Sequence, residues 1–336
     1  MKASDKHYFL KADICHRIPL GIAVILLHLN LSPMQKILIP TDFSENAWNA
    51  IDYTMQLFRN KRCTFYLLNT YTPVIPSSRF MAKMIDGERI VDAVRDSSER
   101  GLKKTVDRIK SKYGNPNHSF ETISSFNLLV EEVKDLVDSI GIHLVVTGTK
   151  GASGIDEVFM GSNTVRIIKN TKKCPILAIP YHYEFITPSE IAFATDFNRF
   201  YTTSELTPLI EMANMFNSVI RIVHVQYGIK ALSELQQFNL NMLRRYLKGV
   251  EHYVHTVSEI NSVSQTLEIF SKELDIHLLA LLNYQHSYME KMTREPIVKR
   301  TAFHTQIPLF VIPELGMEGI SAEEEDEVHE QSYHSP

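Results

Sequence analysis

Three glycines and a serine at fixed spacing carry the clearest chemistry in this chain. They read Gly148-Thr149-Lys150-Gly151, nine residues, then Gly161-Ser162. The apolar run His143-Leu144-Val145-Val146 before them predicts a buried strand, and Thr164-Val165-Arg166-Ile167-Ile168 after them predicts the first turns of a helix. A strand, a glycine-punctuated loop and a helix start together form an anion site. Glycine lets backbone N–H groups approach a phosphate, and the helix start adds unpaired N–H groups and partial positive charge. Ser162 can donate a hydroxyl and Lys150 a charge. The plainer alternative makes Gly148 and Gly151 turn residues and Gly161 a helix cap, and spacing alone leaves the two readings even.

A second group lies near residue 40. Lys36-Ile37-Leu38-Ile39-Pro40-Thr41-Asp42-Phe43-Ser44 reads as a short strand ending in a polar turn, with Ser44 as N-cap of a helix over Glu45–Phe58. Asp42 thus stands at the carboxyl end of a strand, where open α/β sheets bind ligands. Read alone, it is a turn residue; opposite a phosphate loop, it is a carboxylate that accepts hydrogen bonds from a nucleoside.

The elements that must position these residues alternate strand and helix. Thr64–Thr70 predicts a second strand, Pro73–Ser78 a loop, and a charged amphipathic helix follows through about Lys112. Phe120–Ser124 is a third strand, Leu128–Ile140 a helix and Pro175–Pro180 a fifth strand. Such alternation implies a parallel sheet with right-handed crossovers. After a linker at 182–189 the pattern repeats. Ile191–Phe197 echoes Ile37–Phe43 down to Thr-Asp-Phe, Val219–Val225 is a second strand and Ile229–Lys248 a helix. Ile276–Leu281 echoes Ile142–Thr147, and Pro308–Pro313 echoes Pro175–Pro180.

The second copy lacks the loop. Leu282 and Gln285 fall where Gly148 and Gly151 stand, and Arg294 and Glu295 where Gly161 and Ser162 stand. Tyr284 would crowd a phosphate there. Asp196 survives, and Lys291, Arg294, Lys299 and Arg300 read as a solvated basic face.

The pattern Gly-x2-Gly-x9-Gly-Ser after an apolar strand resembles the ATP-binding loop of the universal stress protein family, and with the repeat the resemblance covers roughly residues 34–313. It implies an α/β fold of two tandem open five-stranded parallel-sheet domains, adenine nucleotide alpha hydrolase-like and Rossmann-like, joined as a pseudo-dimer through Pro175–Pro180 and Pro308–Pro313. It implies ATP, with Mg2+ carried by the phosphates, as the ligand. Gly148, Lys150, Gly151, Gly161, Ser162 and Asn163 would hold phosphates, and Pro40, Thr41, Asp42 and Thr70 the nucleoside. Asn69-Thr70 departs from the Leu-His-Val common in that family, whereas Val223-His224-Val225 keeps His-Val.

The resulting expectation is a cytoplasmic stress-response regulator that binds adenine nucleotide in its first domain alone, with homo-oligomers open. Two alternatives stand beside it: a nucleotide-free interaction scaffold, and a slow ATPase or phosphotransferase using Asp156 or Glu157. Committed catalysis is not expected, because the chain carries no Gly-x4-Gly-Lys-Ser/Thr loop and no kinase signature.

Composition agrees. A chain of 336 residues suits two domains, and a net charge of −4 gives no reason to expect nucleic acid. Cys15, Cys63 and Cys174 are odd in number and lack C-x-x-C spacing, as in a reducing compartment. His252 and His255 read as surface polar residues without further metal ligands nearby. Residues 1–33 do not match the repeat. Their apolar run Gly21–Leu27 is short for a membrane helix; Met34 is read as the start, with a membrane anchor as the lesser reading. The acidic tail 315–336, with Glu323–Glu327, is expected to be a disordered solubilising end.

Overall fold

A computed structural model describes residues 34–72, 87–149, 161–228, 230–284 and 306–314, side chains of 87–90 excepted. Residues 1–33, the Pro73–Ser78 loop, Lys150, Gly151, Asp156, Glu157, the basic residues Lys291, Arg294, Lys299 and Arg300 with Gln285 and Glu295, and the tail 315–336 lie outside them. All described elements belong to one compact unit, Gln35–Pro336.

The chain runs β1 (Gln35–Pro40), α1 (Glu45–Leu57), β2 (Cys63–Thr70), α2 (Gly87–Tyr113), β3 (His118–Ser125), α3 (Leu129–Leu136), β4 (Leu144–Gly148), α4 (Ser162–Asn170) and β5 (Ile176–Ile179). A π-helical turn, Val137–Gly141, extends α3 and accounts for the longer helix expected there. The second half runs β6 (Glu190–Ala194), α5 (Thr203–Phe216), β7 (Val219–Gln226), α6 (Glu234–Tyr246), β8 (His252–Ser258), α7 (Val263–Glu273), β9 (Leu278–Asn283) and β10 (Leu309–Pro313).

The strands form one ten-stranded sheet in the order β3-β2-β1-β4-β5-β10-β9-β6-β7-β8. Within each half every pairing is parallel, in the same order outward from β5 and from β10. The junction is antiparallel, with Leu177 opposite Phe310 and Ile176 opposite Val311. Alternation along the strands fills two cores. Ile37, Ile39, Phe65 and Leu67 face α1 and α2 with Tyr53 and Leu102, while Leu38 and Val145 face Val133, Ile167 and Ile168. Both faces are therefore covered, which explains the continuous apolar runs of the central strands.

The linker is docked. Asn49 donates from Nδ2 to the carbonyls of Pro180 (3.0 Å) and Tyr183 (3.2 Å), and the buried Tyr53 ring meets Phe185 edge-on at 5.2 Å. No helix among the described residues is long and apolar enough to cross a membrane.

The outermost strands each bury part of a histidine. His118 in β3 meets Phe65 edge-on at 4.9 Å, and its Nε2 bonds the Phe58 carbonyl. His255 in β8 meets Phe270 at 5.3 Å. His252 bonds the Val250 carbonyl, so this pair is half-buried in an edge strand, contrary to the surface reading. The alternation of polar residues in β8 hid the strand. Burial holds both His118 and His255 below the usual histidine range, with Arg221 adding to the effect at His255. The unfolded chain then takes up protons near pH 6.5 that the folded chain refuses until lower pH, so stability falls as pH drops through that value. Urea midpoints measured from pH 7.5 to 5 should decline less steeply in His118→Gln/His255→Gln than in the parent.

Candidate functional site

The β1 end turns sharply. The Thr41 hydroxyl accepts from the Phe43 amide at 3.1 Å and Asp42 Oδ1 accepts from the Ser44 amide at 3.0 Å. These two bonds hold Phe43 at φ +64°, a left-handed conformation that costs a bulky residue about 1–2 kcal/mol. The second half repeats the device: Thr195 and Asp196 accept from the Phe197 and Asn198 amides at 3.3 and 3.1 Å, with Phe197 at φ +58°. Ser44 then caps α1 through the Ala47 amide, as its position before Glu45 predicts.

Across from this turn stands the end of β4. The Gly148 carbonyl accepts from the Thr164 hydroxyl at 2.8 Å, and the Thr149 carbonyl accepts from the Gly161 amide. These bonds bring the start of α4 back over the strand that precedes the loop. Gly148 has a steric reason to be glycine: a Cβ there would collide with the Asn46 side chain on α1. Gly161 is the N-cap of α4 and supplies no side-chain acceptor, and the first turn holds no acidic residue. Every other helix start described from its cap offers one or the other: Ser44, Thr202, Ser233 and Ser262 cap α1, α5, α6 and α7, and Glu131 and Glu132 begin α3. The first N–H groups of α4 have no acceptor within the helix, and the helix dipole adds to their positive field.

Between these walls lies a cavity of about 380 Å³, within the range of small-molecule sites. Pro40, Thr41, Asp42, Thr70, Gly148, Gly161, Ser162 and Asn163 all line it. Asp42 is exposed there. Asn46, Ala47, Asn69, Leu129, Thr147 and Thr164 join them, and these the sequence reading did not assign to the site. Asn69 and Thr164 carried a signal, as polar residues at a strand end and in a glycine-led helix turn. Asn46 carried none, since it meets Gly148 only after folding.

The corresponding place in the second half is filled from within. Paired strands put Leu282, which is buried, where Gly148 stands. Tyr284 donates its hydroxyl to Asp196 Oδ1, and Arg199 sits 5.1 Å from the Tyr284 ring centre. Burial first, and then the Asp196 carboxylate, push the Tyr284 hydroxyl well above the usual tyrosine range, so it stays a donor. Asp196 is 6% exposed.

Residues 33–180 match the model of the universal stress protein family. The first half of this chain belongs to the universal stress protein family. Universal stress protein YxiE of Bacillus subtilis (strain 168) is 23% identical over 145 residues, covering 43% of this chain and 97% of that protein. Universal stress protein MJ0531 of Methanocaldococcus jannaschii is 26% identical over 147 residues, covering 43% of this chain and 81% of that protein. The crystal structure of a universal stress protein from Archaeoglobus fulgidus DSM 4304 covers 83% of this chain and 96% of its own, with a TM-score of 0.60 at 15% identity. That likeness extends the fold into the second half.

The Asn69 departure in this universal stress domain has a structural equivalent. Asn69 Nδ2 donates to the Thr41 carbonyl at 2.7 Å, and His224 Nδ1 reaches the Thr195 carbonyl at 3.1 Å. Both side chains tie the second strand to the turn that carries the aspartate. Asn69→Leu should therefore lower stability by about 1–3 kcal/mol, the cost of a part-buried carbonyl losing its donor. Asn69→His should stay close to the parent, as read from denaturant midpoints at constant m-value.

Proposed function

We propose that this protein binds an adenine nucleotide, ATP in the first instance, in the first half alone, as a cytoplasmic stress-response regulator. The observation that carries the reading is one cavity that sets the uncapped start of α4 opposite Asp42. The phosphate chain would lie on the N–H groups of Gly161, Ser162 and Asn163, with the Ser162 hydroxyl as a further donor. Lys150 and Gly151 would complete that cradle. Asp42 would accept from the nucleoside, beside Pro40, Thr41 and Thr70. Asp42 is also the sole carboxylate among the described lining residues, so Mg2+ would be held chiefly by the phosphates.

The Tyr284–Asp196 bond supports restricting nucleotide to the first half, since the second carboxylate is already satisfied and covered. The antiparallel β5–β10 contact supports reading the two halves as an internal pair of the kind the family forms between last strands. Bound nucleotide would change the surface beside the start of α4, and a protein partner would read that change.

Thermal unfolding with and without Mg-ATP tests this. A ligand at 100 times its Kd stabilises by about 2.7 kcal/mol, which raises the midpoint by several degrees at roughly 2–4 °C per kcal/mol. The shift should vanish in Gly161→Arg, whose side chain would fill the phosphate position, while its nucleotide-free midpoint stays near that of the parent. No shift at millimolar ATP, with no nucleotide co-purifying, would overturn the reading in favour of a paired scaffold.

A further inference from the structure

A second cavity, of about 190 Å³, lies beyond the Thr41–Ser44 turn, in the groove between α1 and α2. Two features of the chain open it. Phe43, held at φ +64° by the Thr41 hydroxyl, turns its ring onto α2. Gly101 gives that ring room: a Cβ at 101 would lie 2.5 Å from the ring's Cζ and 2.9 Å from its Cε1. The ring, 41% of Phe43 being exposed, and the buried Ile51 give the groove an apolar side.

The opposite side is cationic. Lys104 and Arg108, four residues apart on one face of α2, both line the cavity. The Arg108 guanidinium stacks on Trp48, 3.6 Å from the ring centre. Stacking orients the planar fork and leaves its N–H edge available for a planar anion. The acid near this fork is Glu45, at 3.7 Å, with both side chains more than half exposed. An ion pair of that kind is weak and readily exchanged. Lys104 makes no ion pair among the described residues.

We propose that this groove is a second ligand site, for a small monocarboxylate with an apolar, aromatic-sized body. A cavity of about 150 Å³ suffices for a benzene ring, so this one accommodates a ring and its carboxylate. One oriented fork and one point charge match the two oxygens of a carboxylate. A phosphate would press further charged oxygens against the Phe43 ring and Ile51, the apolar side of the groove, where an aromatic body fits instead. The site is separate from the nucleotide cavity, although Thr41 lines both.

Trp48 is the one tryptophan of the chain, so its fluorescence reads this groove directly. Benzoate titrated into the full-length protein should give a saturable change, and benzyl alcohol, its uncharged counterpart, should not. Lys104→Met, which leaves the Trp48–Arg108 stack in place, should weaken benzoate by about tenfold, one decade of affinity. Gly101→Val should displace the Phe43 ring into the cavity and abolish saturation; Lys104→Met serves should that variant fail to fold. Equal responses to the acid and the alcohol, an unchanged titration in Lys104→Met, or no saturation with benzoate would each overturn the proposal.

Discussion

The first turn of α4 begins with N–H groups that the helix itself cannot satisfy, and the first half is arranged to leave them facing a cavity. Most helix starts described from their caps receive a serine or threonine there. At α4 the cap is Gly161, which has no side chain to offer. A cap elsewhere is worth about 1 kcal/mol, so its omission here is a local cost. The fold offsets it at the flanks. Thr164 bonds back to the Gly148 carbonyl, and Gly161 to the Thr149 carbonyl. The helix is thus anchored through its side chain and cap amide, and the next N–H groups remain available to an anion.

The same logic explains the strain at Phe43 and Phe197. A phenylalanine at positive φ is unfavourable, yet both halves keep it behind a Thr-Asp pair whose side chains accept the following amides. The turn places each aspartate just past the carboxyl end of its strand, β1 or β6. What differs is the aspartate's environment. Asp42 faces an open cavity, whereas Asp196 is bonded by Tyr284 and flanked by Arg199, itself paired with the fully buried Glu205 at 2.7 Å. One turn borders an open cavity and the other serves packing.

Much of this was legible in the residues. Short apolar runs marked the central strands, and Thr-Asp-Phe at 41–43 and 195–197 marked two equivalent turns. The glycine spacing located the α4 start, because a cap without a side chain is visible as a residue type. What escaped depended on contacts distant in sequence. Asn46 matters because it packs against Gly148, and Gly101 because the Phe43 ring lies on it. Strand β8 escaped because an edge strand with one half-wet face shows little apolar periodicity; His252, Tyr253 and His255 look like loop residues until Ile220–Gln226 is laid beside them.

Joining the halves through β5 and β10 has a structural consequence for the cavity. An unpaired last strand would expose a row of backbone donors and acceptors between apolar side chains, a surface prone to unwanted pairing. The antiparallel junction buries Leu177 and Phe310 instead and brings the end of β9 beside α4. There Asn283 donates to the Ile168 carbonyl at 3.0 Å. Ile168 lies in the last turn of α4, where carbonyls lack partners within the helix. The second half therefore satisfies the carboxyl end of the helix whose amino end is left open toward the cavity. A half with its own aspartate covered by Tyr284 thereby still acts on the site of the other half, by fixing the axis along which its free N–H groups point.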